Sequence, residues 1–147
     1  MRPRLTALVV LGTLACGGRA SQTPVPVTPQ QTLGEFMAAV KANDLDRMGQ
    51  LWGGERGAAA GYMKKEYLHQ SLTVLQIYLN HLTYRVIEGP LAVSGNDRLR
   101  TFRVELQRPT GCIVILPIDV MHGNGGTWLV NDVHLEAAGN PAGPCKP

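Results

Sequence analysis

The side chains able to do chemistry in this chain are few and scattered. Asp119 follows the apolar run from Ile113 to Ile118, and an acid on an otherwise apolar strand is expected to lose solvation, the condition that a general base near neutrality needs. The same residue can instead face solvent on the alternate side with Ile115 and Met121, or pair with an arginine such as Arg103. Asp132 stands in an Asn131-Asp132 pair close after Trp128, where two short polar residues suit a bulge or a structural hydrogen bond as readily as catalysis. Trp128 suits either a core position or stacking on a ligand at a pocket mouth. Asp119, Trp128 and Asp132 are therefore the ligand-pocket candidates.

Other chemistries have less support. His69 and His81 are twelve positions apart, as are His122 and His134, and neither pair has the spacing of two ligands on one helix face. His122 and His134 can approach through a hairpin closed by Gly123–Gly126, but the sequence supplies no third ligand, so neither a metal site nor a cofactor is expected. The cysteines show no C-x-x-C spacing, which argues against dithiol redox work. With no nucleophile motif or phosphate-cradling loop, no residue is assigned as catalytic.

The N-terminus carries a clearer message. Arg2 and Arg4 precede an apolar run from Leu5 to Leu14, followed by Ala15 and Cys16, in the order of a secretory leader. The run has ten residues, half of the roughly 20 that a bilayer-spanning helix needs. Gly12-Thr13-Leu14-Ala15-Cys16 resembles the lipobox of bacterial lipoproteins, with Thr13 where leucine is commonest and Leu14 where a small residue is usual. The resemblance implies cleavage after Ala15 and diacylglycerol attachment to Cys16, which would make the membrane a partner through N-terminal acyl chains. An ordinary leader cut after Ala15 or Ala20 is the alternative. Gly17, where lipoproteins kept at the inner membrane commonly have aspartate, favours the periplasmic face of the outer membrane.

With Cys16 taken by lipid, Cys112 and Cys145 remain as an even pair in an oxidising compartment and are expected to form a disulfide. Closing a loop of about 34 residues would remove roughly 4 kcal/mol of denatured-state entropy on the chain-entropy model. Removing Arg2 and Arg4 takes the basic count from 14 to 12 against 11 acidic residues, so the net charge of +3 becomes +1. Such a balance, with no basic run longer than Lys64-Lys65, excludes an electrostatic nucleic-acid footprint.

The elements that must position these residues follow from periodicity. Cys16 to Gln31, with Pro24, Pro26 and Pro29, is expected to be an extended tether reaching roughly 40 Å at about 3 Å per residue. Thr32 and Glu35 form a T-x-x-E capping box, predicting a helix that starts there and carries Leu33, Phe36, Met37 and Val40. Asn43-Asp44 separates it from a short second helix bearing Leu45, Met48, Leu51 and Trp52. A third helix is predicted from about Ala60 to Leu82. Beyond Thr83 the period falls to two, predicting about four strands. Turns at Ser94–Asp97, Pro109–Gly111 and Gly123–Gly126 should make them antiparallel.

Helices ahead of an antiparallel sheet make an α+β domain over residues 32–138, with residues 139–147 as a stapled tail. The passages Phe36-Met37-Ala38-Ala39-Val40-Lys41-Ala42-Asn43-Asp44-Leu45-Asp46-Arg47-Met48 and Gly126-Thr127-Trp128-Leu129-Val130-Asn131-Asp132-Val133 resemble the opening helix pair and last strand of the nuclear-transport-factor-two-like, or ketosteroid-isomerase-like, superfamily. That resemblance implies a cystatin-like cone in which a curved sheet wraps the helices and an apolar pocket opens at one end. Family enzymes use an aspartate base with a tyrosine or a second acid stabilising an oxyanion, which brings Tyr62, Tyr67 and Tyr78 into consideration beside Asp119 and Asp132. Many members bind or assemble without catalysis. The sequence thus points to a lipid-anchored cell-envelope module that binds a small apolar ligand or an envelope protein. The alternative is a small-pocket isomerase or hydrolase with Asp119 or Asp132 as base.

Overall fold

A computed structural model describes residues 24–145. The leader, Cys16 and the first half of the expected tether, to residue 23, lie outside the described residues.

Helix α1 spans Pro29–Ala42 with Thr28 as its cap, four residues earlier than the Thr32 capping box predicts. The box that operates is Thr28-Pro29-Gln30-Gln31. The Thr28 side chain accepts from the Gln31 amide at 3.2 Å, and the Gln31 side chain accepts from the Val27 amide at 3.1 Å. Pro29 is the first helical residue, where its missing N–H costs nothing and its fixed φ favours the turn, so this proline starts the helix instead of extending the tether. Thr32 is consequently buried inside the helix. Its hydroxyl reaches the carbonyls of both Thr28 and Trp128 at 3.1 Å, tying α1 to the last strand.

Asn43, in the left-handed region at φ 53°, ends α1 by donating back to Ala39 and Val40. Asp44 caps α2 (Leu45–Leu51) through the Arg47 amide, 2.9 Å away. A small hairpin, β1 (Gly53–Gly54) and β2 (Gly57–Ala58), and a 3₁₀ turn at Ala59–Gly61 follow. Helix α3 runs Lys65–Leu79, shorter at both ends than the expected Ala60–Leu82. Its buried stripe is Leu68, Leu72, Leu75 and Leu79. Met63 and Tyr67, which extend the same period in the sequence, are exposed, and Leu82 already donates its amide to Gln107 on the sheet.

The sheet is an antiparallel meander in the order β3-β4-β5-β6, comprising Thr83–Val93, Asn96–Gln107, Ile113–His122 and Trp128–Val133. β3 is an edge strand whose register slips three times, at Val86/Glu88, Glu88/Leu91 and Ala92/Val93. Gly89 lies within the second slip at φ 115°, where a Cβ would lie 2.8 Å from the Thr101 carbonyl oxygen; only glycine fits this approach. The chain is therefore helices followed by a curved four-stranded antiparallel sheet, an α+β arrangement. Among the described residues no helix is long and apolar enough to cross a bilayer.

Alternation along the strands builds the core. Phe102, Val104 and Leu106 on β4 and Leu116, Ile118 and Val120 on β5 all face the helices and are buried. They meet Leu33, Phe36, Met37 and Val40 of α1, Met48 and Leu51 of α2 and the leucine stripe of α3 in one cluster. Phe36, Phe102 and their neighbours pack together between sheet and helices.

Replacing Phe36 by alanine removes a fully buried ring and is expected to cost about 3–5 kcal/mol of unfolding free energy, read by chemical denaturation. Tyr67→Ala, on the exposed continuation of the α3 stripe, should change it by no more than about 0.5 kcal/mol.

Candidate functional site

Asp119 lies between Ile118 and Val120, both turned into the core, so its side chain projects from the opposite face of the sheet. It is not in a pocket between sheet and helices. On the outer face, the Thr101 hydroxyl of β4 donates to Asp119 Oδ1 at 2.6 Å, and His134 Nε2 lies 3.1 Å from Oδ2. Little of the carboxylate remains exposed, because these partners cover it. Arg103, the alternative partner, pairs with Glu88 at 3.2 Å instead.

Strand pairing places Asp132 directly across from Asp119. Two carboxylates opposite one another repel, and the structure separates their roles. Asp132 is exposed and accepts from the Val133 amide at 2.8 Å, a local hydrogen bond at the register shift after Asp119. His134 offsets the repulsion: one metal-ligating atom each from Asp119, Asp132 and His134 falls within 4.8 Å of the others. Glu136 adds a fourth polar group, 3.2 Å from His134 Nδ1. The His134 imidazole is pushed above its ordinary range chiefly by the hydrogen bond to Asp119, burial acting in the opposite sense, with Glu136 and Asp132 adding attraction.

Trp128 is half-buried against the core. The Arg100 guanidinium sits over its ring at 5.8 Å, and His122 packs on it with ring centroids 4.9 Å apart. Trp128 also lines a recess of about 300 Å³ between Val25-Pro26, α2 and the β5–β6 turn. Thus the two strand-end histidines part company: His122 joins Trp128, and His134 joins Asp119. The tyrosines do not converge on either site. Tyr62 stacks under Arg56 at 4.3 Å, Tyr67 is exposed, and Tyr78 lies on α3, on the other side of the core from Asp119.

Thr101 and Arg108 are absent from the sequence candidates, and His134 is among them only as a strand-end histidine paired with His122. Thr101 had a signal, because alternation with Phe102 puts it on the outer face; the cross-strand neighbour it meets is decided by register. His134 had none, since its ring reaches Asp119 only because the chain leaves β6 and donates the His134 amide to the Pro117 carbonyl. Arg108 continues the inward parity of Phe102, Val104 and Leu106, and that parity was the available sign that it would be buried. Cys112 and Cys145 stand at disulfide distance, with Cα atoms 5.2 Å apart.

Two histidines give opposite pH behaviour. His81 is buried, donating from Nδ1 to the Leu79 carbonyl at 2.8 Å, and loss of solvation holds it below 6.5. Because the unfolded chain takes up that proton first, His81 lowers stability as pH falls through 6.5 toward its depressed value. The stabilisation from protonated His134 is complete below 6.5 and disappears as pH rises through its elevated value. An NMR titration should place His134 above 6.5 and His81 below it, and Asp119→Asn should lower the His134 midpoint while leaving that of His81 in place.

Comparison of the chain with protein-family models, with curated proteins and with solved structures found no match.

Proposed function

We propose that this protein is a lipid-anchored module of the bacterial cell envelope, acylated at Cys16 and held at the periplasmic face of the outer membrane, where it binds or assembles without catalysis. The anchor rests on the ten-residue apolar run and the Gly12–Cys16 sequence after it. The cysteine pair at disulfide distance suits an oxidising compartment. The fold reading we favour is a nuclear-transport-factor-two-like cone closed by its own side chains, which leaves the rim and outer surface for a small apolar ligand or an envelope protein.

The observation that carries the non-enzymatic reading is the placement of Asp119. A general base of the ketosteroid-isomerase kind needs a buried carboxylate facing a tyrosine or a second acid across a substrate cavity. Here the carboxylate is on the outer face, engaged by Thr101 and His134. A second reading, a hydrolase or isomerase using Asp119 or Asp132 as base, draws on the convergence of those two acids with His134.

Intact mass of the protein purified from membranes of its native host tests the anchor. The expected mass starts at Cys16, carries a diacylglycerol and falls by two daltons against the reduced form. The Cys16→Ala variant should lose acyl labelling and leave the membrane fraction. An unmodified chain retaining Met1, or membrane association that survives Cys16→Ala, overturns the proposal.

A further inference from the structure

Arg108 is buried to 96 % where β4 turns toward β5, an unusual position for a guanidinium that has no carboxylate beside it among the described residues. The turn fixes its backbone, with the Arg108 amide donating to Cys112 and its carbonyl accepting from Gly111, at 2.8 and 2.9 Å. From there the side chain passes under the last turn of α3, and Nη2 donates to the Tyr78 carbonyl at 3.2 Å. That contact is favourable to the negative end of the helix, but it satisfies one donor of five. Nε is fully enclosed and has no acceptor among the described residues. An enclosed, charged N–H without an acceptor is costly, and such groups are rare in folded proteins unless something else fills the position.

Two recesses adjoin the Arg108 residue. Arg108 lines a recess of about 180 Å³ formed with Ile113 and Ile115 of β5, Ala138, Asn140 and the disulfide partner Cys145. It also lines a second recess of about 280 Å³ below the end of α3, walled by Ile77, Pro109 and Pro141. The larger recess has mostly apolar walls and the smaller one mixed walls, and both are assembled from distant parts of the chain, the C-terminal one tethered by Cys112–Cys145.

We infer that Arg108 is the anchor of a binding site for a small aliphatic carboxylate, whose oxygens accept from the guanidinium while its hydrocarbon part lies on the apolar wall. One guanidinium matches the single charge and planar geometry of a carboxylate. A doubly charged phosphate would leave a charge uncompensated against apolar side chains. The recess suits a molecule of a few heavy atoms. This site is separate from the Asp119–His134 cluster and stands whether or not Cys16 is acylated.

The test follows the Arg108 Nε–H resonance of the folded, oxidised wild-type protein while sodium butyrate is added, with inorganic phosphate at matched ionic strength as the other arm. Butyrate should move that resonance saturably at about millimolar concentration, the range expected for about six heavy atoms. Phosphate should move it weakly and without saturation. Arg108→Met should weaken butyrate binding at least about tenfold, with Arg108→Lys intermediate. Because the wild-type resonance is read directly, a variant that fails to fold does not remove the test. No saturable shift with butyrate would make Arg108 solely a tie to the end of α3 and overturn the inference. Saturation by phosphate in preference to butyrate, or full butyrate affinity in a folded Arg108→Met protein, would overturn it equally.

Discussion

The division of the sheet into two faces is the constraint on which the rest of this structure depends. From Phe102 to Leu106 on β4 and from Leu116 to Val120 on β5 every second side chain is large and apolar, and burying that set against three helices supplies the main driving force for folding. A one-residue slip of either strand would turn Phe102, Val104, Leu116 and Ile118 to water. The same alternation carries Thr101 and Asp119 to the other side. Core packing therefore decides where the polar chemistry lies, and it lies outside.

The ends of the meander are finished by the chain's return. β6 pairs with β5 only from Ile118 to His122, leaving the first half of β5 without a strand on that side. The His134 amide extends the contact to Pro117, and the short helix α4 (Leu135–Ala138) then lies against β5 with Ala138 buried. Covering an exposed edge in this way protects it from pairing with another chain. It has two local consequences: His134 is delivered to Asp119, and the segment from Gly139 to Cys145 is led back over the β4–β5 turn, where it closes one wall beside Arg108.

Much of this was legible from residue order. The switch from a helical period to a period of two near Thr83 marked the change from helices to strands, because side chains repeat every 3.6 residues in one and every two in the other. Gly95, Gly111 and Gly126, all at positive φ, mark the turns that made the strands antiparallel. The boundaries were less legible where one local signal had two meanings. Pro29 suits both an extended tether and the first turn of a helix, and Thr28 and Thr32 each begin a possible capping box. Met63 and Tyr67 fit the α3 period but stay outside, because the core ends at Leu68.

By itself, the sequence determined the α+β order of elements, the apolar set that forms the core and the expectation of a leader ending at Ala15. These depend on patterns between neighbouring residues, which local sterics and solvation translate into structure. Tertiary structure decided which polar groups meet. Asp119 finds Thr101 and His134 through strand register and the return of the chain, and Arg108 reaches Tyr78 only because α3 ends above the β4–β5 turn. Contacts between residues 15 to 30 positions apart have no periodic signature. They are fixed by how the elements pack, and a carboxylate or guanidinium acquires its chemistry from that packing.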